Sequence, residues 1–277
     1  MKAEGTQVVG GLRGTGRGVG AFNVILLEHA EAVVGGAEDA GLPVVVQISQ
    51  NAVRYRGALA PLALACLSMA AAATVPVLVH LDHVEDEALI DEGLALGIPS
   101  VMFDAAALSY DENLARTAAV TQRCHRAGVW VEAELGEVGG KDGAHAPGVR
   151  TDPAEATAFV AATGIDALAV AVGSSHAMSS RDAVLDDELI GALAAAVDVP
   201  LVLHGSSGVP DEGLRRAVAR GMAKVNVGTR LNQVMTGEAR RVLAEQPRLS
   251  DPRKYLAPGR DAVRAEVARL LRVFDGR

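Results

Sequence analysis

TVPVLVHLDH, residues 74–83, reads as a short apolar strand that ends in ionisable side chains. Val75, Val77, Leu78 and Val79 form the near-continuous apolar run expected of a parallel strand covered by helices. His80, Asp82 and His83 follow where the strand should stop. Two other segments close in the same way: AVAVGSSH, residues 169–176, ends on His176, and PLVLHGSSG, residues 200–208, turns polar at His204. Histidines from separate strand ends converge only if the strands are parallel and share one rim. That geometry is the mouth of a barrel, and three imidazoles there point to a catalytic zinc with an open coordination position.

The same unit recurs along the chain: a helical pattern, a turn residue, then a short strand with a polar end. GVGAFNV, AGLPVVVQIS, TVPVLVHLDH, LGIPSVMFDA, AGVWVEAELG, TGIDALAVAVGSSH, VDVPLVLHGSSG and RGMAKVNVGT are the candidate strands. Gly41, Gly97, Gly128, Gly164 and Gly221 stand where a helix ends in a left-handed residue. Asp152-Pro153 has the pattern of a helix N-cap with proline at the first helical position. Alternating α and β elements over 277 residues predict one α/β domain spanning 1–277, a TIM (β/α)8 barrel, with a C-terminal extension from about 231. A doubly wound sheet is the runner-up, but it gives no reason for histidines on three strand ends. The extension exceeds one closing helix, and such tails often pack on a neighbouring subunit.

Bulk properties narrow the class. A net charge of −8 with no basic run argues against nucleic acid as a partner. No segment approaches the roughly 20 apolar residues of a transmembrane helix, and no signal-peptide pattern opens the chain. Cys66 and Cys124 lack metal spacing and read as buried thiols of a reducing cytoplasm.

Strand ends hold the chemistry of this fold. His83, placed just past its strand, joins His176 and His204 as the zinc ligand set. His80 reads as a hydrogen-bonded structural residue, and His29, His125 and His145 as solvated. Asp82 is a proton donor or acceptor beside the metal. Glu132 and Glu134, two apart, project to the same side of their strand and would need cations if buried. The segment GEVGGKDGAHAPG, residues 136–148, is a long glycine-rich loop suited to closing over a substrate, with Asp142 as its carboxylate. Gly205-Ser206-Ser207-Gly208 and Asn226-Val227-Gly228-Thr229 stand at the last two strands, where this fold commonly cradles phosphate.

The run of motifs GAFNV, HLDH, VMFDA, VEAELGEVGG, GSSH, HGSSGVP, KVNVGT and DPRKYLAPGRDAV resembles the class II, zinc-dependent ketose-bisphosphate aldolases, the group of fructose- and tagatose-bisphosphate aldolases. The resemblance runs almost end to end. It implies a cytoplasmic, dimeric or tetrameric barrel that cleaves a ketose phosphate to dihydroxyacetone phosphate and an aldehyde. It implies Zn2+ on His83, His176 and His204, polarising the ketone and holding the enediolate. It implies Asp82 exchanging the proton of the C4 hydroxyl and Asp142 that of C3. Asp104 and Glu134 match positions of secondary metal placement, and a monovalent cation near the phosphate is usual. Asn23 and Ser49 match substrate-contacting strand ends. The phosphate shell would comprise Ala177, Arg181, Gly205, Ser207, Asn226, Gly228 and Thr229.

Four positions depart from the family pattern. Ala177 replaces a usual glycine, and the lysine three positions beyond it is missing, with Arg181 a displaced substitute. Gly228 stands where Asp, Asn or Ala is common. Asp142 is one methylene shorter than the usual glutamate. These departures keep open a lyase acting on a non-bisphosphate or unphosphorylated substrate. A non-catalytic barrel scaffold and a metal-dependent hydrolase are further readings; buried ionisable groups without a use are expensive, which counts against the scaffold.

Overall fold

The computed structural model describes residues 1–135, 150–174 and 181–276. In chain order the elements are α1 (Gly5–Val8), a 3-10 turn, β1 (Val19–Asn23), α2 (Leu27–Ala40), β2 (Val44–Ser49), α3 (Gln50–Arg56), α4 (Ala60–Ala72) and β3 (Val77–Val84). There follow α5 (Glu87–Leu96), β4 (Ser100–Phe103), α6 (Tyr110–Arg126), β5 (Trp130–Glu134), α7 (Pro153–Thr163) and β6 (Ala167–Ala169). The chain closes with α8 (Asp187–Ala196), β7 (Leu201–Leu203), α9 (Asp211–Arg220), β8 (Met222–Val227), α10 (Thr229–Glu245) and α11 (Arg253–Asp275). The eight strands form a closed parallel barrel in sequence order, β8 pairing back onto β1 through Val19 and Lys224. The fold is a TIM barrel, as the strand pattern predicts.

Alternation along each strand separates two interiors. Outward residues such as Phe22, Val46, Val79, Phe103 and Val131 pack under the helices in the main core. Inward residues change character with height. Val19, Ala21, Val45 and Leu78 fill the N-terminal end, closed from below by α1 and by Trp130. Gly5 allows that closure, since a Cβ there would meet Trp130 Cγ at 2.3 Å. Higher up, inward positions include the buried polar residues Gln47, His80, Ser100, Glu132 and Lys224, beside an apolar cluster of Met102, Ala167, Ala169 and Val202.

Local signals place the helices. Asp152 caps α7 by accepting from the N–H groups of Ala154 and Glu155, and Ser109 caps α6. Gly41, Gly97 and Gly164 end helices in the left-handed conformation. Gly221 has a different reason to be glycine: its φ is 132°, and a Cβ would lie 2.5 Å from that of Ala194.

The C-terminal segment corrects an expectation. The boundary near 231 falls inside α10, and α11 packs on α2 and β1 of its own chain. Gly35 and Gly36 let the two helices touch, because a Cβ on Gly36 would lie 2.6 Å from the Arg264 carbonyl oxygen. The tail therefore completes the outer ring of helices. Among the described residues no helix is long and apolar enough to cross a membrane.

Candidate active site

Asp82 and His83 are adjacent on β3, so a regular strand would aim them to opposite faces. His83 escapes that rule. Its φ of 48° is left-handed, and the β3–β4 register shifts between Leu81 and Val84. A non-glycine residue in that region stores roughly 1–2 kcal/mol of strain, retained where the surroundings over-determine it. The expectation that His83 lies past the strand is thus corrected: β3 continues to Val84, and a bulge turns the imidazole inward.

Among the described residues, His83 and His204 are each held by a second group. His83 Nδ1 lies 2.7 Å from Asp104 Oδ2, which leaves Nε2 for the cavity. Asp104 Oδ1 in turn accepts from the Ala106 N–H. His204 Nε2 is 3.0 Å from Glu132 Oε1, and its Nδ1 is 3.7 Å from Glu134 Oε2. The rings of His83 and His204 meet edge to face with centroids 4.8 Å apart. Asp82 accepts from Asn23 Nδ2 through Oδ2, and its buried Oδ1 has no hydrogen-bond partner among the described residues. Gln47 Nε2 donates to Asn23 Oδ1, so the amide that fixes Asp82 is itself fixed.

Among the described residues, two groups of donor atoms lie within 4.8 Å of one another: Asp82, His83 and His204, and His83, Asp104 and Glu134. Imidazole nitrogens with carboxylates suit zinc, and the unsatisfied Oδ1 of Asp82 is costly unless a cation, proton or ligand meets it. The residues present therefore fit a metal at His83 and His204. His176, the third predicted ligand, lies outside the described residues, as do His145, Asp142 and Ala177.

Below the histidines is a network that sequence reading left incomplete. Lys224 Nζ donates to Glu132 Oε2 at 2.7 Å, and both residues are almost wholly buried. Glu132 was expected to need a cation; Lys224 supplies it from β8, across the barrel. A lysine in the middle of a buried strand, MAKVNV, is the available signal. His80 Nδ1 is 2.7 Å from Ser100 Oγ, so its structural reading stands. Burial and the neighbouring Lys224 cation hold the His80 pKa well below its usual value, which keeps the ring neutral.

A cavity of about 480 Å³ opens above this floor. Asn23, Ser49, Asp82, His83, Asp104, Gly205, Ser207, Asn226, Gly228 and Thr229 all line it. Ser206 Oγ donates to the Asn226 carbonyl, tying the β7 loop to β8. Ser207 Oγ accepts from the Arg230 N–H, so its own O–H remains to donate. Gly228 and Thr229 begin α10, whose N-terminus meets the cavity beside Ser207. Ser49 caps α3 by accepting from the Ala52 N–H.

Arg181 has partners that the sequence did not show, and the solvated reading of His29 is corrected. Arg181 does not line this cavity; it donates to Asp211 Oδ1 at 2.6 Å and to the Val209 carbonyl. Asp211 also pairs with Arg269 of α11, so Arg181 and Arg269 share one carboxylate. His29 is buried in the first turn of α2, where its Nδ1 accepts from the Leu26 N–H. His125 is exposed as expected and lies 2.8 Å from Asp166. Arg54 and Glu85, unremarked in the sequence, line the cavity mouth.

Comparison with known proteins agrees with this geometry. The model of the family described as "Fructose-bisphosphate aldolase class-II" matches residues 4–277. A Bacillus subtilis (strain 168) protein named "Probable fructose-bisphosphate aldolase" is 38% identical over 274 residues, 97% of this chain and 96% of its own. A Geobacillus stearothermophilus fructose-bisphosphate aldolase is 38% identical over 260 residues, covering 92% and 91%. The crystal structure of the YdjI aldolase from Escherichia coli K12 superposes with a TM-score of 0.86 at 31% identity, covering 100% of this chain and 99% of that one. A barrel with paired histidines and carboxylates at its C-terminal rim, matched along its whole length, is an aldehyde-lyase, and the chain belongs to the class II fructose-bisphosphate aldolase family.

Proposed function

We propose that the chain is a zinc-dependent aldolase that reversibly cleaves a phosphorylated ketose to dihydroxyacetone phosphate and an aldehyde. The observation that carries this reading is the convergence of Asp82, His83 and His204 at the floor of the cavity, with Ser207, Asn226 and Thr229 on its wall. Zinc, when bound, supplies a Lewis acid that polarises a carbonyl and stabilises developing negative charge. His83 and His204, together with His176, would hold it. Glu132 keeps the proton of His204 on Nε2, and Asp104 holds His83 through Nδ1, so both rings present their other nitrogen to the site.

Asp82 is the group that moves a proton. Asn23 fixes one carboxylate oxygen, and the unpartnered Oδ1 is the atom that takes the proton of the C4 hydroxyl. As that proton leaves, the C3–C4 bond breaks, its electron pair stays with C3, and C4 becomes the aldehyde carbon. Protonation of C3 completes dihydroxyacetone phosphate; the sequence assigns that proton to Asp142. The phosphate is received by the hydroxyls of Ser207 and Thr229 and the N-terminus of α10. A second metal at His83, Asp104 and Glu134, or a monovalent cation near the phosphate, belongs to the same reading.

The reading extends to a cytoplasmic homodimer or homotetramer acting on a small sugar phosphate, with neither nucleic acid nor membrane as partner. Zinc-loaded protein is expected to release dihydroxyacetone phosphate from a ketose 1-phosphate, with EDTA abolishing the reaction and zinc restoring it. No cleavage across a panel of sugar phosphates, with EDTA without effect, overturns the reading.

A further inference from the structure

Gln50, Arg54 and Glu85 form the wall of the cavity at the β2–β3 side, and nothing in the chemistry above uses them. Gln50 is buried and acts as a clamp. Its Oε1 accepts from the N–H groups of Glu85 and Asp86, and its Nε2 donates to Glu85 Oε2 at 3.2 Å. Arg54 donates to the same oxygen at 3.2 Å, and its other nitrogen reaches Asn51 Oδ1. Glu85 is thus tied at its backbone and at its carboxylate, while both members of the ion pair stay about 60% exposed to the cavity mouth. The phosphate cradle stands on β7 and β8, and β1 and Asn23 separate it from this wall. The two ends of the cavity therefore take different parts of a ligand.

Charge decides which parts. Apart from His83, Arg54 is the cation among the described lining residues; it pairs with Glu85, and the same lining carries the carboxylates of Asp82 and Asp104. A dianionic group at the mouth would find Arg54 already compensated and would stand beside Glu85. Like charges so placed repel, and most strongly where a cavity limits solvent. An arginine–carboxylate pair instead offers both donors and acceptors, which suits hydroxyl groups.

We infer that Glu85 is a specificity-determining residue that selects a ketose with one phosphate and an uncharged, hydroxylated far end, so that the aldehyde partner is unphosphorylated. This rests on the aldolase reading above and names its substrate class. The aldehyde half of the substrate lies against Gln50, Arg54 and Glu85, and a bisphosphate is disfavoured there.

The test runs the reaction as an addition, which forms the C–C bond without any redox partner. Zinc-loaded protein receives dihydroxyacetone phosphate with racemic glyceraldehyde or racemic glyceraldehyde 3-phosphate, and consumption of dihydroxyacetone phosphate is followed. The wild type is expected to have the higher kcat/KM with glyceraldehyde. E85Q should lower the ratio of the two specificity constants roughly tenfold or more, mainly through KM for the phosphorylated aldehyde, and E85K should lower it further. A wild type that prefers the phosphorylated aldehyde, with a ratio unmoved in both variants, overturns the role of Glu85 and leaves the aldolase reading standing. Consumption with neither aldehyde overturns both. A drop in activity with the phosphorylated aldehyde in E85Q also overturns it, since Arg54 would then need Glu85 to hold it for that phosphate.

Discussion

Two carboxylate–cation pairs flank the same site, one buried beneath the cavity floor and one at the cavity mouth. Lys224 and Glu132 meet at 2.7 Å with 2% and 1% of their side chains exposed. Arg54 and Glu85 meet at 3.2 Å with about 60% exposed. The chemistry is nearly the same and the surroundings are opposite. In the floor, neither charge can be left alone, because water cannot replace a lost partner. At the mouth, water competes with every contact, and the pair adds little to stability. The floor pair therefore sets geometry, fixing His204 through Glu132. The mouth pair can change between relatives at little cost to the fold, which makes it suited to choosing ligands.

The contrast breaks most directly at the floor. Lys224→Met or Glu132→Ala should each destabilise the protein by about 3–5 kcal/mol, read from urea denaturation, because each strands a buried charge. The double variant K224M/E132L should recover most of that loss while zinc affinity stays weakened. Full zinc affinity in the double variant would remove the floor's proposed role. Next in size is Asp82→Asn, which stands between the two regions. It should lower kcat by roughly 10²–10⁴ while leaving zinc content and thermal stability close to wild type.

A pH series sharpens the comparison further. In the metal-free protein, burial disfavours charge on His83, yet Asp82, the hydrogen bond to Asp104 and the Glu134 charge outweigh it and push its pKa up to about 10. A raised pKa means that protonation stabilises the fold fully below about pH 6.5 and that this contribution disappears as pH rises through about 10. The melting temperature of EDTA-treated protein should therefore fall between pH 7 and pH 10, and Asp104→Asn should reduce that fall. Zinc-loaded protein should show a smaller slope, since a ligating imidazole carries no second proton. The smallest effect belongs to the mouth: Arg54→Ala should change unfolding free energy by no more than about 1 kcal/mol.

The barrel was legible because its signals are local. Each strand announces itself by an apolar run with polar residues at its end, and Asp152, Gly41, Gly97 and Gly164 mark helix ends within a few residues of sequence. Rim residues such as Asp82, His83 and His204 were legible for the same reason. What stayed hidden depends on partners remote in the chain. Lys224 meets Glu132 across the barrel, 92 residues away. Arg181 pairs with Asp211, a partner that spacing alone cannot reveal. The inward turn of His83 comes from a backbone bulge, which residue order does not disclose. The role of α11 depended on Gly35 and Gly36, two hundred residues upstream, where missing side chains admit it.

Trp130 carries one more consequence. It is the chain's single tryptophan, wedged at the N-terminal end of β5, whose other end bears Glu134. At the usual rise per strand residue the indole lies about 13 Å below that carboxylate. Intrinsic fluorescence should thus register the opening of the barrel's closed end and stay nearly silent when metal or sugar enters the other. Folding and occupancy become separable optical observables in the unmodified protein, and a variant that loses ligand can be checked for an intact barrel in the same cuvette.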